Sequence, residues 1–100
     1  TNLLTAHPEV EGIMCANDSM ALGAARALEA AGREDIEIVG FDNIGAVQEL
    51  IREGKVLATI DQFGPEMAAN AIKVGLGILE GDELSGWQKT PIQLVTIEDL

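Results

Sequence analysis

Apolar positions fall in short runs along this chain, and the runs alternate between two spacings. Ile13, Met14 and Cys15 form a run too short for a helix and bounded by turn residues, which predicts a buried strand within "VEGIMCA" (10–16). "NDSMALGAARALEAAGR" (17–33) has helical spacing instead. Met20, Ala24, Ala27 and Leu28 give it a stripe of mostly small residues suited to close packing on a sheet. Asp18 or Asn17 can cap its start, and Gly32 stands where a helix-ending glycine belongs. "IEIVGF" (36–41) predicts a second strand. "IGAVQELIREG" (44–54) predicts a second helix, with Val47, Leu50 and Ile51 on one face and Gly54 at its end. "VLATI" (56–60) is the third strand.

"GPEMAANAIKVGLGILEGDE" (64–83) predicts a longer helix, opened by Pro65 in its first turn and ended near Gly81. "TPIQLVTI" (90–97) alternates Ile92, Leu94 and Thr96, a fourth strand placed at an edge by Pro91. Ahead of all these, "NLLTAHPEVEG" (2–12) reads as a helix end and a turn, stopped by His7-Pro8. The order β-α-β-α-β-α-β, with continuous apolar strands, indicates an α/β fold. A parallel, Rossmann-like sheet would lie between two helical layers, a three-layer sandwich.

Composition narrows the function classes. The chain has 100 residues, room for one modest domain, and 47% of them are hydrophobic against 23% charged, the balance of a folded protein. No apolar run approaches the ~18 residues that span a bilayer, and no signal-peptide pattern stands at Thr1. A formal net charge of −11 argues against nucleic acid as a partner of this segment, since phosphate contacts need a basic patch. The single cysteine, Cys15, and the single histidine, His7, make neither a disulfide framework nor a zinc site of the usual kind. There is no nucleophile–base pair and no carboxylate pair at a recognisable spacing, so the chain carries no catalytic set, no metal site and no sign of a cofactor. "GLGILEG" (75–81) imitates a dinucleotide fingerprint but lies inside a helical pattern and lacks the third glycine. Trp87, in a Gly/Ser-flanked loop, is expected to be a packing anchor.

The candidate chemistry lies at the strand ends. Ligands of open parallel sheets bind beyond the carboxyl ends of the strands. Three apolar runs stop there at polar residues: Asn17-Asp18 after the first strand, Phe41-Asp42 after the second, Asp61-Gln62 after the third. Amides donate and accept hydrogen bonds, whereas carboxylates only accept. A hydroxyl does both, so amides with a carboxylate suit a polyol, and Phe41 offers an apolar face for a sugar ring. A phosphate ligand would want a glycine-rich loop or basic residues, and this rim has neither. Asp18 is expected to cap the helix that follows it, and Asp42 could cap the next. Adjacent strand residues point to opposite sides, so only one of Asp61 and Gln62 should enter a cleft, and Gln62 is preferred.

Taken together, "LLTAHPEVEGIMCANDSMALGAARALEAAG", "IEIVGFDN", "IREGKVLATIDQ" and "PEMAANAIKVGLGILEGDE" resemble the C-terminal part of the ribose/galactose-type sugar-binding proteins of ABC importers. The resemblance covers essentially the whole chain. It implies a two-lobed protein that closes on a monosaccharide or polyol and delivers it to a transporter permease, outside the cytoplasmic membrane. That place is the periplasm, or the cell surface as a lipoprotein in a Gram-positive organism. By the same resemblance Asn17, Asp42 and Gln62 correspond to residues that hydrogen-bond sugar hydroxyls, and Phe41 to a neighbour of the ring. Residues 1–62 would belong to the C-terminal lobe, 63–90 to a helix and loop packing on an N-terminal lobe, and 91–100 to a returning strand. The exposed side of helix 65–80, with Met67, Ala68, Ala71, Ile72, Leu76 and Leu79, would then favour self-association of this segment alone. The alternative is the effector-binding domain of lactose-repressor-type regulators, which shares "FDNI". Its relatives carry a proline-containing segment where this chain has "ELIREGKVLATIDQ", a charged helix ended by glycine.

Overall fold

The computed structural model describes residues 1–100. The elements in chain order are α1 (Asn2–Ala6), β1 (Gly12–Met14), α2 (Asp18–Ala31), β2 (Glu37–Val39), α3 (Gly45–Arg52), β3 (Thr59–Asp61), α4 (Gly64–Leu79), β4 (Gln93–Val95) and a closing 3-10 turn (Ile97–Asp99). Every predicted strand and helix is present, and each strand is shorter than the segment predicted to hold it.

β1 and β2 pair in parallel, with Ile13 opposite Ile38. β2 continues into β3 through a parallel bridge between Val39 and Ala58. The Gly40 N–H donates to the Ala58 carbonyl (3.0 Å), and the Leu57 N–H to the Ile38 carbonyl (2.8 Å). β4 runs antiparallel to β3, with Ile60 opposite Leu94. The ladder is therefore β1-β2-β3-β4, parallel until its last, returning strand. A strand at the edge is free to run either way, so the β-α alternation that fixes the first three does not fix the fourth.

Helices α2 and α3 cover one face of this sheet. Ala21, Ala25 and Leu28 of α2 and Val47 and Ile51 of α3 pack with Ile36, Ile38 and Val56 into the buried core. The expected face of α3 is the observed one. On α2 the buried stripe is one residue over from the predicted one. Met20, Ala24 and Ala27 instead border a second apolar cavity of about 440 Å³, shared with Leu3, Leu4 and Ile13. Alanines occupy both sides of this helix, so spacing alone cannot choose between them. The helix ends at Gly32, whose φ of 67° is the left-handed turn that glycine adopts without a Cβ penalty.

The opposite face of the sheet is uncovered in this chain. Side chains alternate along strands, so residues next to the core ones point away from it. Met14 is 87% exposed, and Leu94 is also exposed. Met14, Val39, Ile60 and Leu94 line a largely apolar cavity of about 590 Å³ across all four strands. The two helical layers expected on the sheet are thus represented here by one. α4 buries none of its sixteen residues, and Ile72, Leu76 and Leu79 are exposed. The radius of gyration of 17.8 Å and the 58 Å long dimension follow from these bare surfaces, since a compact 100-residue domain would have a radius near ~13 Å. No helix is long and apolar enough to cross a membrane. Trp87 anchors nothing: it is 85% exposed, and only the Lys89 ammonium lies over its ring, 5.2 Å from the centroid. Its loop has no packed partner to receive it.

Candidate functional site

The carboxyl ends of β1, β2 and β3 are stitched together by backbone hydrogen bonds. The Asp18 N–H donates to the Phe41 carbonyl (2.8 Å), and the Asp42 N–H donates to the Ile60 carbonyl (2.8 Å). These bonds bring the three polar pairs to one rim, as the parallel order requires.

Asn17 has an extended backbone and caps α2, its side-chain oxygen accepting from the Met20 N–H (2.9 Å). Its amide nitrogen remains available as a donor. Asp42 and Gln62 are joined directly: Gln62 Nε2 donates to Asp42 Oδ1 (2.8 Å). Asp42 Oδ2 and Gln62 Oε1 are left as acceptors. Phe41 follows β2 but lines the apolar cavity on the uncovered sheet face, and none of the five main cavities gathers all four residues. Asp61 is engaged within the fold, since its two oxygens accept from the Phe63 N–H (2.8 Å) and from Asn43 Nδ2 (3.1 Å). Gln48 Nε2 in turn donates to Asn43 Oδ1 (2.9 Å). The rim is an amide–carboxylate network, and no cation neutralises Asp42 or Asp61. Such a surface offers hydrogen bonds to hydroxyls and repels anions.

Two expectations for the aspartates are corrected. Asp18 does not cap α2, because Asn17 does. Its side chain is fully buried and accepts from Thr59 Oγ1 (2.7 Å) and from the Ile44 N–H (2.9 Å). Asp42 caps no helix either, since the N-cap position of α3 is Ile44 and no side chain caps it. Asp42 and Asn43 instead hold φ values of 133° and 61°. Left-handed conformations are uncommon outside glycine, persist where surrounding structure enforces them, and gather at ligand clamps. The role of Asn43 was missed in the sequence. Its signal was the Asp-Asn pair after a strand, since Asn tolerates the left-handed region and bonds locally. Cys15 lies beside the rim, half-buried. Burial, and secondarily the charge of Asp18, push its thiol upward, which disfavours the thiolate, the reactive form.

Residues 1–83 match the model of the periplasmic binding protein domain. The chain belongs to the periplasmic binding protein family. It is 42% identical over 99 residues to a D-ribose/D-allose-binding protein of Pseudomonas aeruginosa, covering 94% of this chain and 31% of that protein. It is 39% identical over 94 residues to the ribose import binding protein of Salmonella typhimurium, covering 94% of this chain and 32% of the relative. Its fold superposes with a TM-score of 0.88 and 35% identity on a periplasmic solute-binding protein of an ABC transporter from Actinobacillus succinogenes, solved with bound D-allose. That match covers 98% of this chain and 35% of the other. The chain thus spans about a third of the length of the curated relatives it matches.

Proposed function

We propose that this chain forms one wall of a sugar-binding cleft in a solute-binding protein of an ABC importer, and that its ligand is a monosaccharide or polyol. The observation that carries this reading is the Asp42–Gln62 pair on the common rim, hydrogen-bonded to each other with one acceptor left on each. Asn17 supplies a donor beside them, and Phe41 an apolar wall. Pentose and hexose names among the relatives, ribose and allose, agree with such an uncharged, hydroxyl-rich ligand. The chain binds and releases; it carries out no reaction.

In this reading residues 1–62 are part of one lobe, 63–90 are a helix and loop that pack on a second lobe, and 91–100 return as the final strand. The bare face of α4 supports that division. So does Phe63, which sits in the left-handed region (φ 53°) between Gln62 and α4, where a hinge would turn. The intact protein works outside the cytoplasmic membrane and hands its sugar to a transporter permease. Alone, the chain associates with itself through α4.

Titration calorimetry with D-ribose, then D-allose, tests the reading on the intact protein carrying this chain. Asp42→Ala removes a charged hydrogen-bond acceptor, which lowers affinity by roughly 10- to 100-fold while the circular dichroism spectrum is retained. Unchanged affinity removes Asp42 from the site.

A further inference from the structure

The segment that presents Asp42 is held by a residue that never reaches the surface. Asp18 is 0% exposed, it stands in the first turn of α2, and its hydrogen bonds reach three other segments of the rim. Its N–H donates to the Phe41 carbonyl (2.8 Å), two residues past the end of β2. One carboxylate oxygen accepts from Thr59 Oγ1 (2.7 Å) on β3 and the other from the Ile44 N–H (2.9 Å) at the start of α3. Thr59 Oγ1 also accepts from the Asn43 N–H (3.3 Å). The chain makes room for this carboxylate at Gly40, where a Cβ would stand 2.2 Å from Asp18 Oδ1. Between the anchored carbonyl of Phe41 and the anchored N–H of Ile44 lie Asp42 and Asn43, two successive non-glycine residues at positive φ. A strained dipeptide keeps its conformation only while its neighbours over-determine it, and Asp18 with Thr59 supplies three of those constraints. Its carboxylate makes no contact with a cation, so hydrogen-bond geometry, not charge pairing, accounts for its place.

We propose that Asp18 is a positioning residue for ligand binding: through Thr59 and Ile44 it locks the Phe41–Ile44 segment so that the Asp42 carboxylate faces the cleft beside Gln62. This rests on Asp42 being a ligand contact. The role differs from capping, which Asn17 performs, and from ligand contact, which full burial forbids.

The test uses the intact protein carrying this chain, with D-ribose as the probe. Asp18→Ala leaves buried donors unpaired and can fail to fold, so Thr59→Val, Thr59→Ser and Asp42→Ala carry the measurement. Thr59→Val keeps the shape and deletes the hydroxyl. It weakens D-ribose binding by about tenfold, and Thr59→Ser, which restores the hydroxyl, returns affinity to within about twofold of the parent. Amide hydrogen exchange in Thr59→Val speeds up at Asn43 and Ile44 while the core amide of Ile38 keeps its protection. Full affinity in Thr59→Val, alongside lost binding in Asp42→Ala, overturns the positioning role and leaves the cleft reading intact. Exchange accelerated equally at Ile38 also overturns it, since the effect would then be global stability. Full affinity in Asp42→Ala overturns the cleft reading and the positioning role with it.

Discussion

Asp42 holds a φ of 133° while its carboxylate accepts from Gln62 twenty residues further on. Both features follow from where it sits, three residues past the end of β2, in a segment whose neighbours fix it on either side. Residue chemistry also explains the silence of Cys15. Its thiol is raised by burial first and by the Asp18 carboxylate second. The thiolate is the reactive form, so its fraction at a given pH falls as the pKa rises. Disulfide-exchange reagents therefore modify Cys15 more slowly than a free thiol at neutral pH. The rate climbs with a midpoint above that of an ordinary cysteine, a profile that stopped-flow absorbance records directly. The placing of Asn17, Asp42 and Gln62 on one rim was legible because each stands where an apolar run gives way to polar residues, and run ends are local features of sequence. The duty of Asp18 was not, because its partners Ile44 and Thr59 lie 26 and 41 residues away. A capping residue and a buried bridge look alike at one position.

At the scale of elements, the sequence carried the kinds and order of strands and helices but not every facing. The face of α3 was plain because Val47, Leu50 and Ile51 are large and stand against polar neighbours. The face of α2 was ambiguous because alanines flank its buried stripe. β4 reversed direction, something no periodicity encodes. Gly40 shows how tightly the elements meet. Its missing Cβ is the space for Asp18 Oδ1, with Ala21 Cβ at 3.3 Å behind. Gly40→Ala therefore forces α2 away from β2 or turns Asp18 out of its bonds. We expect a loss of about 1–3 kcal/mol in stability, measured by urea denaturation of the intact protein. A midpoint equal to the parent's would mean that α2 and the carboxylate adjust without strain.

On the scale of the whole molecule, two broad surfaces wait for cover: the sheet face around Met14 and Leu94, and the length of α4. Continuous apolar surfaces of this kind drive association when nothing else covers them. The isolated chain is expected to sediment as dimers or larger species at high concentration, and Ile72→Lys with Leu76→Lys to shift it toward monomer. A clean monomer before substitution would show these faces to be solvated as they stand. The central claim, that the rim is one wall of a cleft completed from elsewhere in the protein, is tested most directly by one calorimetric comparison. A ligand closes two lobes only through its better binding to the closed form, and one wall supplies only part of that difference. Titrated with D-ribose, the intact protein is expected to bind and the isolated 100-residue chain to show no saturable heat. Binding of comparable strength by the isolated chain would contradict the account.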